Sequence, residues 1–228
     1  KGHVFVVNQN SIHGFKNVES LEFFNIMYDV KILLNTNPDL RKISGFQSLF
    51  VLEPIYCKSS RFQSKMQISD ENIKYVNNLL DLAYLEFMGK SQGYQTVTQS
   101  FFHILVVFLS REYTKVNNEC SVKILQLADA VVYIEENFTS PLSVDFLASK
   151  AYMSPRHFIR VFKESYGTTP MEYVNSLRLD YATRLLASGN NTVTQVALQS
   201  GFTDPNYFAR IFKKKYSVTP SQYLSKSF

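Results

Sequence analysis

Cysteine is almost absent: Cys57 and Cys120 are the only two in 228 residues. Two thiols so far apart offer no zinc-ligand spacing and no disulfide framework, which excludes disulfide-stapled and zinc-knuckle modules and fits a reducing, cytoplasmic setting. Long apolar runs are lacking as well. The longest, residues 101–109, is too short to span a bilayer and is interrupted by His103. No signal peptide is visible, although Lys1 is not a natural start and further residues are expected before it. Neither sign of charge dominates, the net charge being only +5. The excess is unevenly placed: residues 121–228 carry twelve Lys and Arg against eight Asp and Glu, and residues 1–120 carry twelve against eleven. The C-terminal half is the basic one, as a nucleic-acid partner requires. With 45% hydrophobic residues, the chain can bury one large or two ordinary cores.

What is present is a repeat. Residues 154–173, SPRHFIRVFKESYGTTPMEY, overlay residues 204–223, DPNYFARIFKKKYSVTPSQY, without a gap, and nine of the twenty positions are identical. A period of this length marks one supersecondary unit used twice. Each copy follows a short helical run and a bend, VDFLASKAYM and VTQVALQSGFT. One extra residue in the second copy aligns these runs, with Ala151 opposite Gly201. Helix, sharp turn and a second helix opening at Ser154-Pro155 or Asp204-Pro205 is the pattern of a helix-turn-helix. Phe158, Phe162 and Tyr166, like Phe208, Phe212 and Tyr216, recur at four-residue spacing and read as core. The opposite faces carry Arg156, His157, Arg160 and Lys163 in the first copy, and Asn206, Arg210, Lys213, Lys214 and Lys215 in the second. Arg and Asn can bond bidentately to guanine and adenine edges, whereas the alternative for such a face is a merely solvated basic surface. Two such helices in register, each after a turn, favour DNA.

These residues carry a family resemblance. Residues 124–223 resemble the DNA-binding domain of the AraC/XylS transcription regulators. The stretch VALQSGFTDPNYFARIFKKKYSVTPSQY follows the family pattern A-x3-GF-x4-YF-x-R-x-FKK-x-x-G-x-TP-x-x-Y. Ser217 departs from it where glycine is usual; at a helix C-cap that position is expected to be strained. The resemblance implies base and backbone contacts by Arg156, His157 and Arg160, and by Pro205, Asn206 and Arg210. Ser154, Pro155, Lys163 and Lys214 complete the implied surface, with Thr169, Thr203, Thr219 and Lys213 better placed for phosphates.

Residues 1–55 read as short strands, GHVFVV and LEFFNIMYD being rich in Val, Phe and Ile. Gly2, His13 and Asn17 match the second motif of cupins, with Asn8 and Asn10 replacing its Pro and Gly. The resemblance implies a partial cupin-like barrel and gives His13 a pocket-lining role. The remaining metal ligands of that family are not in the chain, so no metal and no cofactor are expected. Residues 56–68 read as a loop. Ile73, Val76, Leu80, Ala83 and Phe87 then recur at helical spacing, capped by Ser69 or Asp70 and ending near Gly89. A second helix over 96–113 is apolar nearly all round, which calls for burial and, by the resemblance, a dimer contact. Residues 115–121 read as a linker, 124–137 as a helix under the first repeat, and 170–188 as a connector helix bearing Tyr173, Leu177, Tyr181 and Leu185.

The fold expected is α+β: a cupin-like effector and dimerisation domain over 1–114, a linker over 115–121 and an all-α double helix-turn-helix domain over 122–228. The function expected is a sequence-specific DNA-binding regulator, an activator rather than an enzyme. Its implied partners are promoter DNA, RNA polymerase, a second copy of the chain and a small effector, with no membrane. GFQSLFVLEP ahead of a helix pair resembles the family's sugar-responsive branch, of which the rhamnose-operon activators are members, so a sugar is the expected effector. A cupin enzyme would need a complete metal triad. A DNA-alkylation repair protein of the same fold would need a cysteine cluster. A constitutive DNA-binding protein would differ only in lacking an effector.

Overall fold

A computed structural model describes residues 2–7, 20–56, 66–115, 119–188 and 191–226. These form two compact units, residues 1–132 and 133–228, whose boundary falls within one helix.

In the N-terminal unit, strand β1 (His3–Val4) pairs antiparallel with β2 (Met66–Gln67), His3 opposite Gln67 and Val4 opposite Met66. Among the described residues this is the only ladder, so the barrel expected over residues 1–114 is not seen in them. Residues 20–29 form no strand: Phe23, Phe24 and Met27 are exposed, and a strand-prone segment becomes a strand only where a neighbour completes its hydrogen bonds. Residues 30–56 are helical where strands are expected. Helix α1 (Val30–Thr36) leads to a 3-10 turn (Pro38–Lys42), α2 (Ser44–Phe46), a π-helical stretch (Gln47–Leu52) and α3 (Glu53–Tyr56). Short apolar runs such as FQSLFVL fit a buried helix and a buried strand equally, and here burial on all sides selects the helix.

Helices α4 (Asp70–Gly89) and α5 (Tyr94–Tyr113) follow the expected bounds closely, with Ser69 capping α4 through the Asn72 amide. A short turn with Lys90 and Gly93 both left-handed folds them into an antiparallel pair, fastened by Asn72 Nδ2 donating to Glu112 (2.8 Å) and by the Tyr75 ring tilted against Phe108 at 4.8 Å. The core joins Phe46, Leu49 and Phe50 to Leu105, Val106, Leu109 and Tyr113. Tyr113 donates its buried hydroxyl to Glu53 at 2.5 Å. Gly45 meets α5 so closely that a Cβ would stand 1.8 Å from the Ser110 carbonyl oxygen, so no side chain fits. Phe87, expected in the inner stripe of α4, is half-exposed; the buried stripe is Ile73, Val76 and Leu79.

Helix α6 (Glu119–Asn137) begins five residues before its expected start and takes in the end of the expected linker, of which 116–118 lie outside the described residues. Val122 there is exposed, so this turn of helix has no apolar period by which to read it. Helices α7 (Val144–Lys150), α8 (Pro155–Tyr166), α9 (Pro170–Ala187), α10 (Val193–Gln199), α11 (Pro205–Tyr216) and α12 (Pro220–Lys226) complete the C-terminal unit. The unit is all-α, as expected. No helix among the described residues is long and apolar enough to cross a membrane.

Candidate nucleic-acid interface

The two repeats bury matching sets of aromatic rings. In the first, Phe158, Val161 and Phe162 are buried, and the Phe162 ring lies 4.6 Å from Tyr166 and 5.5 Å from Tyr173. In the second, Phe208 and Phe212 are buried, with Phe212 4.6 Å from Tyr216 and 5.6 Å from Tyr223. These rings hold one face of α8 and of α11 inward, which leaves the other face to solvent.

The entry to each helix is set by its cap. Ser154 accepts from the His157 amide and Asp204 from the Asn206 amide, and Pro155 and Pro205 occupy the first helical position. Before each cap the chain turns through one left-handed residue, Tyr152 (φ +54°) in the first unit and Gly201 (φ +87°) in the second. The equivalent of Gly201 is therefore Tyr152 and not Ala151, whose φ is −85°. The extra residue of the second copy lies after the turn, between Gly201 and Pro205. Tyr152 tolerates the position because it is 81% exposed; at Gly201 a Cβ would stand 2.5 Å from the Thr139 carbonyl oxygen.

Ser154, Pro155, Arg156, His157, Arg160 and Lys163 are all exposed along the start and outer face of α8, and Ser154, Arg156, His157 and Arg160 line one shallow open depression. Thr203, Asn206, Arg210, Lys213 and Lys214 are exposed on and before α11, with Pro205 half-buried. Each set is thus brought together on one face. Lys215 departs from that face: it donates to Ser176 and to Asp180 (2.7 Å) on the connector α9. Two outward side chains already have partners. Arg160 Nη1 donates to both oxygens of Glu164, at 2.9 and 3.1 Å, and the Arg210 guanidinium lies over Tyr207. Arg160 still presents its other nitrogens, so a base edge can be met without breaking the pair.

Thr169 and Thr219, expected near phosphates, serve as helix caps. Glu172 accepts from the Thr169 amide, the Thr169 hydroxyl and the Thr168 hydroxyl at the start of α9, and these bonds, first the backbone one, hold its carboxyl at about 2, well below the ordinary carboxylate range. Gln222 does the same work uncharged beside Thr219 at the start of α12. Sequence reading overlooked Glu164 and Glu172, although Thr-x-x-Glu at 169–172 is a legible capping box. It also overlooked Arg178, a buried cation with no local signal. His13 lies outside the described residues.

A helix-turn-helix domain model matches residues 147–226, which takes in α8 through α12. Over 207 residues the chain is 25% identical to the HTH-type transcriptional activator RhaS of Escherichia fergusonii, covering 89% of this chain and 69% of that protein. Among solved structures, the DNA-binding domain of the transcriptional factor AdpA, in complex with a target DNA, is 31% identical. It covers 44% of this chain and 91% of its own, with a TM-score of 0.43. A regulator with an AraC-type DNA-binding domain from Chromobacterium violaceum is likewise 31% identical, over 45% of this chain and 91% of its own, with a TM-score of 0.41. The domain match over residues 147–226 and the similarity to RhaS both point to DNA-binding regulation. With two helix-turn-helix units, each presenting a basic outer face, the chain is a DNA-binding transcription regulator similar to the activator RhaS.

Proposed function

We propose that the chain is a promoter-binding activator that reads DNA with both α8 and α11, under the control of a small effector. The observation that carries this reading is the twofold presentation of one basic face on a shared connector. A single exposed basic helix is an ordinary solvated surface, whereas two on one connector can enter successive major-groove faces, which lie about 34 Å apart on DNA. Arg160, Arg210 and Asn206 would read base edges. Arg156, His157, Lys163, Lys213 and Lys214, with the helix starts Ser154-Pro155 and Thr203 to Pro205, would set the docking. Activation, with RNA polymerase as the partner, follows from the resemblance to RhaS, which is named an activator.

Residues 1–114 would carry the effector and dimer functions in a cytoplasmic regulator, and 122–228 the DNA. A sugar effector and a role for His13 rest on family resemblance. The dimer has an observation of its own. Tyr75, Leu82, Leu85, Phe87 and Met88 of α4 are all exposed, a larger apolar set than a solvated helix face carries. Selection of binding sites from a random duplex library, followed by footprinting, tests the reading. Protection of two adjacent major-groove segments is expected, and protection of one would limit recognition to a single helix. Sedimentation at micromolar concentration tests the dimer, and a monomer would leave those side chains without that role.

A further inference from the structure

Three parts of the C-terminal unit meet at one side chain. Arg178 stands midway along α9 and is only 8% exposed. Its Nε donates to the Phe138 carbonyl at 2.6 Å and its Nη2 to the Ser140 carbonyl at 2.8 Å. Phe138 and Ser140 belong to the segment that leads from α6 into the first helix-turn-helix unit. The guanidinium also lies over the ring of Phe202, in the turn of the second unit, its carbon 5.7 Å from the ring centroid. Beside Phe202, Gly201 approaches Thr139 so closely that a Cβ would stand 2.8 Å from its Cα. Arg178 thus joins the approach to one unit with the turn of the other, and it is far too buried to touch DNA itself.

The other ties of α9 show what this one adds. Toward the second unit the connector is held at several points: Asn175 donates to Tyr207 (3.1 Å), Lys215 to Ser176 (2.8 Å) and Asp180 (2.7 Å), and Tyr216 to Asp180 (2.7 Å). Toward α6 it is held near its N-terminus, where Tyr173 donates to Glu135. That bond and the edge-on contact of Tyr181 with Phe138 (ring centroids 5.7 Å) set distance more than orientation. Arg178 adds a hydrogen-bonded point about one and a half turns beyond Tyr173, and a planar fork on two carbonyls fixes orientation as well as distance.

We propose that Arg178 is a positioning residue for DNA recognition, which fixes the separation and twist of α8 relative to α11 and so sets the spacing of the two DNA segments the domain accepts. The inference rests on the reading that both helices engage DNA together. Two rigidly joined modules gain affinity from one another only on DNA that presents both targets at the matching distance, and the gain vanishes when geometry forbids joint engagement. A guanidinium held by backbone carbonyls suits the task, because carbonyls cannot be lost by substitution.

The test uses the full chain and the duplex selected from a random library. Dissociation constants are measured for that duplex, for versions with one or two base pairs inserted between its halves, and for each half alone. Wild type should bind the inserted duplexes about tenfold or more weakly. Arg178→Met keeps the apolar stem and removes both bonds. It should bind the selected duplex about tenfold more weakly, distinguish the inserted duplexes by no more than about threefold, and bind each half as wild type does. Arg178→Lys keeps the charge, reaches one carbonyl and should fall between. A folded variant that retains the full insertion penalty overturns the inference. So does loss of half-site binding in both variants, which marks a general structural role. Indifference of wild type to insertion would instead overturn the two-helix reading and the inference with it.

Discussion

The first helix-turn-helix unit and the second have the same ring packing but place their glycines oppositely. Each unit needs two left-handed residues, one in its turn and one at the end of its outer helix. The first has Tyr152 in the turn and Gly167 at the cap; the second has Gly201 in the turn and Ser217 at the cap. Strain of about 1–2 kcal/mol is thus accepted once per unit, at different ends. The reason is visible only at Gly201, where the Thr139 backbone leaves no room for a side chain, whereas a Cβ at Gly167 would meet nothing within 4 Å. The units differ in charge too. α8 sets Arg156, Arg160 and Lys163 against Glu164, while α11 carries Arg210, Lys213, Lys214 and Lys215 with no acid, and the caps that follow are Glu172 and the neutral Gln222. The outer helix of the second unit is the more positively charged, and the first holds Arg160 in a pair with Glu164.

The largest break in this comparison should come from Gly201→Ala. A methyl group at φ +87°, 2.5 Å from the Thr139 oxygen, should cost roughly 2–4 kcal/mol in urea denaturation. Tyr152→Ala should stay within about 0.5 kcal/mol, because it remains left-handed and loses only exposed surface. Comparable losses in both would show that the junction with Thr139 is not what distinguishes the turns.

Next comes Arg210→Ala, which should weaken the selected site by about 1–3 kcal/mol and relax preference at one base pair. Arg160→Ala should cost less, since Glu164 already offsets part of its charge. Lys214→Ala should weaken all sequences alike and flatten the salt dependence by about one counterion. A uniform loss in Arg210→Ala would make it a phosphate contact.

Ser217→Gly sharpens the comparison in the stabilising direction. Relief of the left-handed serine, offset by the greater freedom of glycine in the unfolded chain, should leave a gain of roughly 0.5–1 kcal/mol. Gly167→Ser should lose a similar amount in a thermal melt. The smallest effect is the pH dependence of the caps. Glu172 has a lowered pKa, so what its charge contributes is complete above the unfolded value near 4.5 and disappears as the pH falls through about 2. The stability difference between wild type and Glu172→Gln should therefore shrink over that window, and Gln222→Ala should show no such dependence.

Much of the C-terminal unit was legible because its signals are local. Helix openings at Ser154-Pro155 and Asp204-Pro205 and a four-residue aromatic spacing all act within one helix. The N-terminal unit resisted for the opposite reason. FQSLFVL is apolar on every side, so it has no period to separate helix from strand, and its π-helical stretch is imposed by packing on α5. The turn alignment slipped by one because only backbone angles reveal that Tyr152, and not Ala151, is left-handed. Arg178 carries no signal that singles it out within the connector. Its partners are carbonyl oxygens, which leave no mark in a sequence. Lys215 was assigned to the wrong face because one step around a helix separates solvent from the connector.

The ladder of β1 with β2 has a consequence for the order in which the molecule opens. His3 and Gln67 lie far apart in sequence, so their pairing closes a loop of about 60 residues to gain two residue pairs. The α4–α5 hairpin and each helix-turn-helix unit bring together neighbours a few turns apart and owe little to loop closure. In native-state hydrogen exchange the β1 amides should therefore lose protection first, while α4 and α5 remain closed.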